Sequence, residues 1–149
     1  MITGLSHANI FVLDQDRAKE FFTEKLGFTL KTDMVMGEEF EGAGSGFRWL
    51  TVSPPNQPDV EIILADPRMG HDEETAKTIR ELVAKGALGA GVWEADDVRK
   101  TYEELRERGV EFIQEPAERP YGVEALFRDD SGNWFSLTQP YHRAQSGTE

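Results

Sequence analysis

Two groups in this sequence have the types and settings from which chemistry could be built. His7 opens the apolar stretch "HANIFVL", where an imidazole is either a metal ligand or a polar residue at the start of a strand. Glu61 stands between apolar neighbours in "DVEIIL", so its carboxylate faces either a polar cavity or solvent, because an unpaired charge is costly in apolar surroundings. His71 and His142 fall in a linker and a tail and read as solvated. Cysteine is absent, which removes thiolate nucleophiles, Cys-based zinc or iron-sulfur sites and disulfides. No G-x-S-x-G, P-loop, dinucleotide fingerprint or Ser-His-Asp set occurs, so the common hydrolase, kinase and Rossmann readings fall away.

The elements that must position these groups follow from the pattern of the chain. A length of 149 residues suits one domain with a real core. "LSHANIFVL" reads as a strand that stops at "DQD", where Asp14 or Asp16 caps a helix. That helix carries Ala18, Phe21, Phe22 and Leu26 at helical spacing and ends at Gly27. Strands follow at "FTLKTDMVM", "FRWLTVS" and "VEIILAD", the last two flanking the proline-rich "PPNQP". Between the first two of these, residues 37–46 carry four glycines and three glutamates, a composition expected of a mobile loop able to close over a ligand. Residues 66–86 form a linker with one helix, its apolar side made by Ile79, Leu82 and Val83. The order then recurs: a strand at "LGAGVWEA", a helix from "DDVRKTYEELRERG", a strand at "VEFIQEP", and a hairpin through "RDDSGNW". Residues 141–149 lack periodicity and read as a flexible tail.

The chain thus holds two copies of a strand-helix-strand-strand-strand plan, at about residues 4–65 and 88–139. A shift of 83 positions matches Asp14 with Asp97, whereas Gly27 and Gly109 match only after a one-residue gap. The expected fold class is α+β, two βαβββ modules within a single domain over residues 1–140. The formal net charge of -12 repels phosphate backbones and anionic lipid, which argues against nucleic acid and membrane partners. The start lacks a signal-peptide pattern and no apolar run approaches a membrane span, so the expected location is the cytoplasm.

A doubled module with a His on its first strand ("HANIFVLDQDRAKEFF"), an "LGF" turn, "WEADDV" and a closing "RDDSGNWFSL" hairpin resembles the vicinal oxygen chelate superfamily. Glyoxalase I, extradiol dioxygenases and bleomycin-resistance proteins belong to it. The resemblance implies curved sheets around a cleft and a divalent metal held by the first and fourth strands of each module. On this chain the first-module ligands fall on His7 and Glu61. Their second-module equivalents fall on Ala90 and Ser136, neither a good ligand. Alternation along the fifth strand brings Glu94 onto the face as one replacement, and pairing across "DDSGN" places Leu126 opposite Ser136 and Glu124 opposite Thr138, making Glu124 another. Asn9 and Phe11 follow His7 on the cleft face, with Trp49 and Thr51 from the third strand and Trp134 from the second hairpin, a lining suited to a small organic molecule.

Two functions are implied. One is metal-independent binding or sequestration of a small molecule, as in bleomycin-resistance proteins. The other is a glyoxalase-like lyase or isomerase, or a dioxygenase, using nickel, zinc, manganese or iron on His7 and Glu61, with Glu61 or Glu124 moving a proton. The resemblance further implies a homodimer. Neutral or cationic ligands suit the acidic chain better than anionic ones.

Overall fold

Alternation of apolar residues builds the first sheet. In β1 (His7–Phe11), His7 and Asn9 are exposed while Ile10 is buried, so the strand has one open face and one core face. Asp14 caps α1 (Gln15–Glu20), its side chain accepting a hydrogen bond from the Arg17 backbone N–H. The helix widens at Phe21–Lys25 into a π-turn, with the Leu26 N–H bonded to the Phe21 carbonyl, and the chain turns back at Gly27 (φ 78°). Strands β2 (Thr29–Val35), β3 (Arg48–Ser53) and β4 (Glu61–Ala65) complete a four-stranded sheet in the order β1-β4-β3-β2. β1 and β4 run parallel, and the other pairs run antiparallel.

α1 packs on the core face of β3 and β4. There Phe22, Leu50, Val52 and Leu64 are fully buried, each contributing about 1.5–3 kcal/mol of transfer free energy. The rim of this sheet is tied by Asp33, which bonds Arg48 at 2.8 and 2.9 Å and Lys19 at 2.8 Å. α2 (Glu73–Ala84) follows, capped by Asp72, and buries Ala76 and Val83. Of its expected apolar side, Ile79 and Leu82 are half-buried.

The second sheet repeats the arrangement with β5 (Gly89–Glu94), α3 (Val98–Glu107), β6 (Phe112–Arg119), β7 (Gly122–Arg128) and β8 (Trp134–Pro140), ordered β5-β8-β7-β6. β5 and β8 are again the parallel pair. Asp97 caps α3 as Asp14 caps α1, by accepting from the Lys100 N–H. The one-residue gap between the copies has a structural cause: the first helix takes up its additional residue in the π-turn, which α3 lacks. Phe127 and Phe135 stack at 5.3 Å between ring centres in a core closed by α3.

The structure, a computed structural model, describes residues 1–37 and 46–141. The expected loop at 37–46 lies outside the described residues except for Gly37 and Gly46, as do His142 and all of the expected tail beyond Tyr141. The chain divides into two compact units, one of residues 1–88 with 130–133, the other of residues 89–129 with 134–149. Within the first unit, the distant segment 130–133 anchors the end of β1: Leu13 N–H donates to Ser131 Oγ at 2.9 Å and Asn133 Nδ2 donates to the Phe11 carbonyl at 2.8 Å.

Candidate functional site

The parallel pairing of β1 with β4 sets His7 directly opposite Glu61. His7 Nε2 lies 3.6 Å from Glu61 Oε1, and both side chains are partly exposed on the open face of the first sheet. The same carboxylate oxygen accepts a 2.7 Å hydrogen bond from the hydroxyl of Thr51, a buried residue one strand over. The half-buried Trp49 places its ring 6.0 Å from the imidazole, whose Nδ1 is 3.0 Å from Ser6 Oγ. Asn9 and Phe11 point to the same face by alternation. This sheet therefore gathers His7, Asn9, Phe11, Trp49, Thr51 and Glu61.

His71 adds to that face in a way the linker composition did not show. Its ring meets Phe11 edge-on at 5.5 Å and its Nδ1 is 3.0 Å from the Pro67 carbonyl, so it is exposed yet held.

The second sheet carries a different group of residues. Glu124 stands opposite Thr138 and Leu126 opposite Ser136, the register expected from the hairpin. Ser136 Oγ donates to Glu124 Oε2 at 2.7 Å, and Tyr121 OH donates to Oε1 at 2.8 Å. Arg119 Nε lies 3.8 Å from Oε1 while its Nη2 donates to Gln114. Because the single proton of Ser136 is on the Glu124 side, the 2.8 Å contact between Ser136 and Thr138 has Thr138 as donor. The hydrogen bond to Glu124, with desolvation and the carboxylate's charge, raises the Tyr121 phenol above its ordinary value. Tyr121 and Arg119 were not singled out from sequence: Tyr121 reaches Glu124 from the β6–β7 turn, and Arg119 from the last position of β6, opposite Gly122.

One expected equivalence is corrected. Ala90 and Ser136 do not form a pair like that of His7 and Glu61, because β5 bulges between Gly89 and Gly91 and leaves Ala90 without a strand partner. Val92 instead pairs with Ser136, and Glu94 with Thr138. Trp134 pairs with Gly89, over which its indole lies.

Metal fit can be judged from this donor set. A protein-held divalent cation takes three or four protein donors. His7 and Glu61 supply two; the matching place in the second sheet holds Gly89, Ala90 and Trp134, and the Ser136 hydroxyl further along β8 is already bonded to Glu124. Among the described residues no group of three or more His, Cys, Asp or Glu is placed to hold a metal. The residues present do not fit a family-type metal centre.

A sequence profile of the Glyoxalase/Bleomycin resistance protein/Dioxygenase superfamily matches residues 4–137. Among solved structures, UcmS2 is 52% identical and superposes with a TM-score of 0.83, covering 93% of this chain and 99% of its own. TnmS3, an antibiotic binding protein from Streptomyces sp. CB03234, is 32% identical with a TM-score of 0.70, covering 93% of this chain and 97% of its own. YurT of Bacillus subtilis (strain 168) is 36% identical over 131 residues, 88% of this chain and 94% of that protein. No helix among the described residues is long and apolar enough to cross a membrane.

Proposed function

The chain belongs to the Glyoxalase/Bleomycin resistance protein/Dioxygenase superfamily, and we propose that within it the protein binds and sequesters a small organic molecule of antibiotic type without metal-dependent turnover. The observation that carries this reading is the donor set: His7 and Glu61 pair in the first sheet, while the matching place in the second is taken by Gly89, Ala90 and Trp134, none of which is a metal ligand. The similarity to TnmS3 supports the choice of ligand class. Affinity comes from rings such as Trp49 and Phe11, and orientation from the His7, Thr51 and Glu61 polar group beside them. In this reading the protein acts as a homodimer in the cytoplasm.

The test is a calorimetric titration of purified protein against a panel of neutral and cationic antibiotics, with and without chelator, followed by recovery of the ligand. Saturable binding that is indifferent to chelator, quenches tryptophan emission and returns the ligand intact is the expected result. A stoichiometric metal whose removal abolishes turnover of a substrate overturns it and favours the lyase, isomerase or dioxygenase reading, to which only the closeness of His7 and Glu61 points.

A further inference from the structure

The open face of the first sheet continues past Trp49 to a cation that the group around His7 does not use. Phe47 stands one residue before β3, its carbonyl accepting a 2.7 Å hydrogen bond from the Met36 N–H. Alternation puts Phe47, Trp49 and Thr51 on the open face, while Leu50 and Val52 lie in the core. The guanidinium of Arg68 rests over the Phe47 ring, 5.7 Å from its centre. Its Nε and Nη2 both donate to Asp66, at 3.2 and 3.0 Å, and Asp66 is also 3.6 Å from Arg80. That fork fixes the guanidinium and leaves Nη1 without a hydrogen-bond partner among the described residues. The other end of the face presents an acceptor instead. Thr51 and His7 both approach Glu61 at Oε1, and Oε2 has no partner among the described residues. All of these residues belong to the unit of residues 1–88 with 130–133.

From this arrangement we infer that Arg68 is a second anchor for the ligand, and that the ligand is a flat aromatic compound with a hydroxyl at one end and a carbonyl at the other. The hydroxyl donates to Glu61 Oε2, and the carbonyl accepts from Arg68 Nη1. The spacing sets the length. Thr51, which holds Glu61, and Phe47, which lies under Arg68, are four positions apart along the chain, roughly 13 Å in a strand. Two hydrogen bonds of about 2.8 Å leave about 7–8 Å between the ligand's terminal oxygens, the reach of a fused two-ring system. Phe11, Trp49 and Phe47 supply the floor for such rings. One end of the face needs a donor and the other needs an acceptor, so selection rests on the order and separation of the two groups and not on the ligand's net charge. This deepens the proposed function and rests on it for the use of this face; what it adds is the anchoring role of Arg68.

Calorimetric titration of the full chain with 6-acetyl-2-naphthol tests it, with 2-naphthol, which lacks the carbonyl, and 2-acetylnaphthalene, which lacks the hydroxyl, as partial probes. Arg68→Met is expected to weaken binding of 6-acetyl-2-naphthol about tenfold, the size of one charged hydrogen bond, and to leave 2-naphthol unchanged. Glu61→Ala is expected to weaken the full probe by a similar factor and to leave 2-acetylnaphthalene unchanged. The partial probes separate a lost contact from a disturbed fold, since damage to the face weakens all three compounds. No saturable binding of 6-acetyl-2-naphthol, wild-type affinity for it in Arg68→Met, or an equal loss for 2-naphthol overturns the inference. Antibiotic binding that is indifferent to chelator and undiminished in Arg68→Met would leave the proposed function standing and remove the second anchor. Metal-dependent turnover of a substrate would remove the proposed function, while a loss in Arg68→Met confined to carbonyl-bearing probes would still establish the anchor.

Discussion

Ser136 donates a hydrogen bond to Glu124, a residue on the neighbouring strand, across 2.7 Å. In the first sheet the matching strand carries Glu61, which accepts a hydrogen bond from Thr51 at the same distance. Both sheets thus hold a carboxylate steadied by a hydroxyl, but in the first the carboxylate is on the strand paired in parallel and the hydroxyl on its neighbour, and in the second the two strands exchange these groups.

Removing the Glu124 carboxylate strips the acceptor from Ser136, which is only 5% exposed. Glu124→Ala is expected to cost about 1–3 kcal/mol, and Glu124→Gln, which keeps one acceptor oxygen, less than that. Urea unfolding midpoints of the two variants measure the difference. The phenol of Tyr121, now held up by this bond, should titrate nearer its ordinary value in Glu124→Ala, read by ultraviolet absorbance against a Tyr121→Phe control.

Acid stability depends on Asp33. Hydrogen bonds from Arg48 first, then from Lys19, hold its carboxyl well below the usual carboxylate range. A carboxyl group depressed in the folded state contributes stability that is present above its unfolded value of about 3.9 and is lost as pH falls toward the folded one. Asp33→Asn is therefore expected to lower stability at neutral pH by about 1–2 kcal/mol and to flatten the decline below about pH 4. Thermal melts across the acid range compare the two proteins.

Gly89 keeps Trp134 in place. A methyl group there would meet the indole carbons at 2.6 and 2.8 Å, so Gly89→Ala must displace the ring. The expected result is a change in tryptophan emission that vanishes when the substitution is made in a Trp134→Phe background. Emission identical to wild type in both backgrounds would contradict the packing.

Gly132 sits at φ 122° with its missing methyl 2.4 Å from the Val83 carbonyl oxygen. Gly132→Ala incurs both a backbone penalty and a clash with main chain, and a loss of more than about 1 kcal/mol is expected in chemical denaturation.

How much of this could be read from residues alone varies with the physics behind each feature. The duplicated plan and the capping roles of Asp14 and Asp97 were legible, because capping is local and depends on a few adjacent residues. The facing of Leu126 with Ser136 and Glu124 with Thr138 was legible too, since a short turn fixes hairpin register. The pairing of Ser136 with Val92 rather than with Ala90 was not legible, because a bulge between Gly89 and Gly91 leaves no periodic trace in the sequence. The contacts of Tyr121 and His71 were not legible for a related reason: each reaches its partner from a turn or linker, where no periodicity reports direction.

The anchoring of β1 by Ser131 and Asn133 has a temporal side. A growing polypeptide leaving the ribosome can assemble most of its leading half early, but the clasp on that half is synthesised only after α3 and the three strands β5, β6 and β7 have emerged. Final consolidation of the amino-terminal half must then await nearly full-length synthesis, and a fragment ending at Leu88 should emerge with its first strand unfastened at one end.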